Sequence, residues 1–325
     1  MATLVPRLLV PAVAFVMAVA ANSSVSAQPS PPGAPQKPVE GVTVTGKRPT
    51  DQEMIRTVIT PFLDLHAARD RKSGLLVREA PAGVCAATLG LPPAFNQFVT
   101  ARIIAVAKSV GAAVQPAGTC RPNVEILFTV DPQSIVNLLA ERTHGGILGF
   151  HYVHEKPALI RVSRPIQAWY VTGTVGDPDS KDKVIDRSGD VDSAHTQVVL
   201  DQADGPLPDS GTGSLIPPRN SSQIVNALIV ADARKVGGEE IGQIADYIAL
   251  LALSQARTLD DCSPLPSILD LMSSACPSRA KPQTLTDSDI AFLKALYASD
   301  ITTSAGGARN QIAIGMANSL DAGQR

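Results

Sequence analysis

One short stretch carries most of the chemistry that this sequence could offer. Gly237-Gly238-Glu239-Glu240-Ile241-Gly242-Gln243-Ile244-Ala245-Asp246-Tyr247 places Glu239 and Gln243 four residues apart, with Asp246 three further on. On a helix these side chains share one side. His-Glu-x-x-His uses the same geometry to present two ligands to zinc, with the intervening Glu as general base. Here Glu239 and Gln243 stand at the ligand positions, and Glu240 stands at that of the base. A Gln amide is a poor zinc ligand, so the spacing persists without the ligand set. Glu240 is therefore the candidate catalytic residue. Glu239, Gln243 and Asp246 are candidate ligand-binding residues, and no metal or other cofactor is expected. The arrangement expected at the helix start has Glu239 the more exposed. Glu240 and Gln243 would be partly buried and hydrogen-bonded to neighbouring backbone.

The helix that must hold these residues is apolar on its opposite side through Ile241, Ile244, Ala245 and Ile248. Leu250 and Leu253 return to the polar side, so its second half is apolar nearly all round. That pattern predicts a buried helix with polar groups only near its start. Ile224 to Val230, just upstream, reads as a buried strand.

The order of a buried strand, Glu-Glu-x-x-Gln on a helix, Pro266-Ser267-Ile268-Leu269-Asp270, and then Leu285-Thr286-Asp287-Ser288-Asp289-Ile290-Ala291-Phe292-Leu293-Lys294-Ala295-Leu296-Tyr297 resembles a family of secreted bacterial proteins of unknown function. That family is distantly similar to zincin peptidases, and the resemblance runs from about Asn123 to Gly307. It implies a zincin-like core helix. Such families usually carry His before the Glu pair and Asp-Pro after the Tyr. This chain has Gly238 and Ala298-Ser299 there. The implied function is an exported binding or structural protein on a degenerate metallopeptidase-like scaffold, more a non-enzyme than an enzyme. The alternatives are a hydrolase using Glu240 as general base and an envelope accessory protein that engages a partner through its N-terminal tether.

Other catalytic patterns are missing. His151 and His154, followed by Glu155, do not match His-x-x-Glu-His, and Lys156-Pro157 argues against a helix there. His66, His144 and His195 are isolated. Gly211 to Leu215 is not a nucleophile elbow, and there is no phosphate-binding or dinucleotide glycine loop. The run of acidic residues from Asp177 to Asp192 lacks calcium-loop spacing.

Composition agrees with export. The 325 residues carry 28 Lys+Arg against 30 Asp+Glu, a net charge of −2, so no general grip on nucleic acid is expected. Arg7 precedes an apolar run of 14 residues, Leu8 to Ala21, and Val25-Ser26-Ala27 offers a cleavage site. Residues 1–27 therefore read as a signal peptide, too short in its apolar core for a membrane span. Cleavage would leave no transmembrane segment and a periplasmic or extracellular protein. Four cysteines in an oxidising compartment suggest disulfides, and proximity pairs Cys85 with Cys120 and Cys262 with Cys276.

Residues 28–50 form a Pro-rich linker, in which Val42 to Gly46 could dock a partner. Residues 51–300 are expected to be a single α+β domain, a mixed sheet packed with helices, with a loop-rich insertion near 176–222. Residues 301–325 are a tail or short helix, with apolar spacing over Asn310 to Asn318. Within the domain, Thr50 and Glu53 suggest a capping box, and Pro61 a kink or stop. Phe95 to Val110 reads as a helix with Phe98, Ile103, Val106 and Val110 inward. Asn123 to Val130 reads as a strand, from the alternation of Val124, Ile126, Phe128 and Val130. Asp131-Pro132 opens a helix to about Arg142. His144 to Thr174 reads as strands and turns.

Overall fold

A computed structural model describes residues 51–68, 78–79, 83–116, 118–142, 146–149, 153–175, 221–257, 259, 261–299 and 305–323. Residues 1–50, with the expected signal peptide and the linker segment Val42 to Gly46, most of the expected insertion, His144, His151 and His195 lie outside those residues.

The chain is α+β, and its mixed sheet is organised around the last strand in sequence. Strand β5 (Ser221–Asp232) pairs in parallel with β3 (Val124–Thr129) and, nearer its start, with the short β1 (Arg78–Glu79). On its other side it pairs antiparallel with β4 (Ile166–Val175). Strand β2 (Ala86–Leu89) completes the sheet as the parallel neighbour of β3. Nothing in its four residues, Ala-Ala-Thr-Leu, marks β2 by alternation, and only Thr88 among them is buried.

Both faces of β5 are buried, which is why Ile224 to Val230 is apolar almost without a break. Ala227, Ile229 and Ala231 enter the larger core, while Leu228 and Val230 enter a second core with Trp169, Val136 and Leu139. Ile224 also faces the larger core, although it is three residues from Ala227. The β4–β5 register slips between Val171 and Thr172, and the resulting bulge reverses the side-chain parity.

Helices cover both faces. On the larger core lie α3 (Pro93–Ser109), α7 (Ile241–Leu253), α8 (Asp287–Ala298) and α9 (Ala305–Gly323), numbered in a series that also includes α1 (Asp51–Met54), α2 (Thr60–His66), α5 (Lys156–Leu159) and α6 (Ala233–Val236). On the second core lies α4 (Pro132–Arg142). The turn from β2 into α3 needs Gly90, whose φ is +93° and where a Cβ would meet the Phe128 carbonyl oxygen.

Several local expectations change. Pro61 does not stop its helix: a π-helical turn over Ile55–Ile59 separates α1 from α2, and helix resumes through His66. The wide turn lies where the proline ring would crowd the Thr57 carbonyl. Pro157 falls in the first turn of α5, where its missing N–H leaves no bond unmade, so His154 precedes a helix rather than lying in a strand. On α3 the buried face is Val99, Ile103, Val106 and Ala107, and Phe98 is exposed. The C-terminal helix α9 runs longer than the 310–318 pattern and sends Ala308, Ile312 and Met316 into the core.

Both disulfides join the sequence-local pairs, with Cα separations of 6.1 Å for Cys85–Cys120 and 5.2 Å for Cys262–Cys276. Peptide mapping of the non-reduced protein should recover these two links alone, and a crossed Cys120–Cys262 peptide would contradict the fold. No helix among the described residues is long and apolar enough to cross a membrane.

Candidate functional site

The Glu-Glu-x-x-Gln segment lies where α7 begins, at its junction with the segment from Cys262 to Leu285. Glu240 is the N-cap of α7, with extended backbone angles, and the helix proper starts at Ile241. The helix is buried from Gln243 to Leu253, as the return of Leu250 and Leu253 to its polar side predicts.

Each polar side chain of the stretch meets a different fate. Gln243 is buried; its Oε1 accepts the Glu240 backbone N–H at 3.1 Å and its Nε2 donates to the Pro282 carbonyl at 3.0 Å. Asp246 is buried and accepts four hydrogen bonds: from Arg102 Nε and Nη2 (2.5 and 3.0 Å), from Thr284 Oγ1 (2.5 Å) and from the Leu285 N–H (3.1 Å). Glu239 is half-buried because its carboxylate turns onto Lys281 Nζ at 2.7 Å. Glu240 is exposed, which reverses the expected order of the two glutamates. The physical reason is its place: an N-cap residue leaves the helix axis, and the Gln243 amide already serves its backbone.

The stretches around Asp270 and Asp289 join the same network. Asp289, fully buried, accepts from Ser267 Oγ (2.7 Å), the Ile268 N–H (2.8 Å), and the Thr286 N–H and Oγ1 (both 2.9 Å). Burial pushes its pKa up, against the pull of these donors. Arg279 donates to the carbonyls of Ser263 and Leu265 and to Asp270 Oδ2 at 2.8 Å, across the loop closed by the Cys262–Cys276 disulfide. Thus Gln243, Asp246, Asp270 and Asp289, which the sequence scatters over three motifs, together hold the chain from Ser263 to Thr286 against α7 and α8.

Sequence reasoning missed Arg102, Arg279 and Lys281, the cations of this network. Their only signal is charge, and nothing in their spacing points to partners as distant as Asp246 is from Arg102.

No family model, no curated protein and no solved structure matches this chain. The chemistry of the site must therefore come from its own geometry. Gln243, Asp246 and Asp289 are closed by donors from their own chain, and among the described residues no group of three His, Cys, Asp or Glu side chains lies close enough to hold a metal ion. His66 lies apart, stacked on Phe62 with its Nδ1 at 2.9 Å from the Phe62 carbonyl, and burial lowers its pKa. A groove lined by Met54, Pro266, Gln283, Leu285, Asp287 and Leu320 borders the network.

Proposed function

We propose that this protein is an exported, non-catalytic binding or structural protein, and that its Glu-Glu-x-x-Gln helix is a clamp on a scaffold resembling that of zincin peptidases. The observation that carries the reading is the state of Gln243. Both ends of its amide are bonded within the chain, one to the helix start and the other to the Pro282 carbonyl. A side chain held in this way serves the fold at the position where a peptidase would present a metal ligand. Export rests on the N-terminal sequence and is supported by the two disulfides.

The clamp reading separates two substitutions that a catalytic reading would join. Gln243→Ala should lower stability by about 1–3 kcal/mol, because a buried N–H and a carbonyl lose their partner. Glu240→Gln should change stability by less than about 0.5 kcal/mol, as an exposed substitution. Chemical denaturation of the purified protein without its leader checks both. Stoichiometric zinc in that protein, or a hydrolytic activity that falls about 10²-fold or more in Glu240→Gln, would establish the hydrolase reading instead.

A further inference from the structure

At the far end of α7 from the clamp, three arginines line one cavity. Arg161 and Arg164, in the loop before β4, and Arg257, beyond the end of α7, line a cavity of about 260 Å³ with Tyr170, Leu251 and Leu259 among its other walls. Among the described residues no acidic side chain lines it. Three cations around one small cavity are unexpected in a chain of net charge −2, so the local field is a property of this place and not of the whole surface.

The walls are fixed by bonds of Gln167, of Tyr170 and of the Arg257 main chain. Gln167 ties the loop, accepting the Ser163 N–H at 2.9 Å and donating to the Arg161 carbonyl at 2.9 Å. The Tyr170 hydroxyl donates to the Leu251 carbonyl at 2.8 Å, joining β4 to the end of α7. The Arg257 N–H donates to the Leu65 carbonyl at 2.9 Å, which anchors its backbone to the end of α2. Among the described residues neither Arg161 nor Arg257 makes an ion pair. Their main chains are held, and neither guanidinium is paired with a described carboxylate, an arrangement suited to binding an oxyanion without first ordering a loop.

We infer that this cavity is a binding site for a small organic oxyanion, a carboxylate or phosphate ester with a compact apolar body. The anionic group would sit between Arg161 and Arg257, and the apolar body against Leu251, Leu259 and the Tyr170 ring. The inference goes beyond the clamp reading and does not depend on it, since the two places share no residue.

Calorimetric titration of the full chain without its leader tests it with four probes: benzoate, phenyl phosphate, inorganic phosphate and benzyl alcohol. Saturable binding of benzoate or phenyl phosphate is expected, weakening with added salt. Benzoate without phenyl phosphate would assign a carboxylate ligand, and the reverse a phosphate ester. The variant carrying Arg161→Gln and Arg257→Gln together should lose about tenfold or more in affinity. Both side chains are exposed, so its thermal unfolding should match that of the parent protein. No saturation by either organic anion, benzyl alcohol or inorganic phosphate binding as tightly as the organic anion that binds best, or full affinity in the folded double variant would each overturn the inference.

Discussion

Asp246→Ala should cost the folded state about 1–3 kcal/mol, chiefly because the buried Leu285 N–H loses its acceptor while the Arg102 charge left behind reaches solvent. The carboxylate is almost wholly shielded, at 3% side-chain exposure, while Arg102 reaches it from the surface at 39%. Removing it strands more than a charge. The Leu285 N–H and the Thr284 hydroxyl lose their acceptor together, and the chain between Pro282 and Leu285 keeps only Gln243 as a side-chain tie to α7. Arg102→Ala should cost at least as much, since it leaves the buried carboxylate without its cation although Thr284 and Leu285 still donate to it. Guanidinium denaturation of the two single variants checks both costs. A loss below about 1 kcal/mol for Asp246→Ala would mean that the network does not hold the fold.

Glu125→Gln should do the opposite, and its effect should depend on pH. Glu125 lies on β3 beside Asn226 of β5, buried at 3% exposure, with its Oε2 and the Asn226 Oδ1 lacking partners. Burial pushes its pKa up from 4.5 to about 8, against smaller opposing pulls from Asn226 and Arg121. Between those two values the folded protein holds a proton that the unfolded chain releases. Stability therefore falls as pH rises through that window, by up to about 1.4 kcal/mol per unit. Gln removes the titration while keeping the shape. The variant should match the parent near pH 4.5 and exceed it by about 3 kcal/mol at pH 8. Denaturation midpoints at pH 4.5, 6 and 8 give the test, and a difference independent of pH would refute it.

These two residues also mark how far the sequence could be read. The burial of α7 was legible because Leu250 and Leu253 break its polar side, and the disulfides were legible because each pair is close in sequence. The alternation of Val124, Ile126 and Phe128 places a strand correctly. It cannot tell whether the face carrying Glu125 meets water or, as here, a second layer with Trp169 and Leu228. Asp246 could be seen as a helical carboxylate one turn from Gln243. Its cation lies 144 residues earlier on α3, and no local pattern encodes a pairing across that distance. The partial burial of Glu239 was likewise set by a non-local contact, Lys281. For the clamp, then, the sequence showed the acceptors and concealed the donors.

The position of β5 at the centre of the sheet and at the end of the strand order has a consequence for how the chain acquires its fold. Every other strand is made before it, yet β1, β3 and β4 all pair with it. A polypeptide emerging amino end first can join β2 to β3 but must leave the other edge of β3 bare until Ser221 and beyond have appeared. The closure that follows spans about a hundred residues, whose ordering entropy makes such pairings slow. During that interval an apolar strand edge is open to neighbouring chains. The nascent protein is thus most vulnerable to self-association before its last strand arrives, and an escort that shields the Val124–Thr129 edge would shorten that hazard more than one acting on any helix.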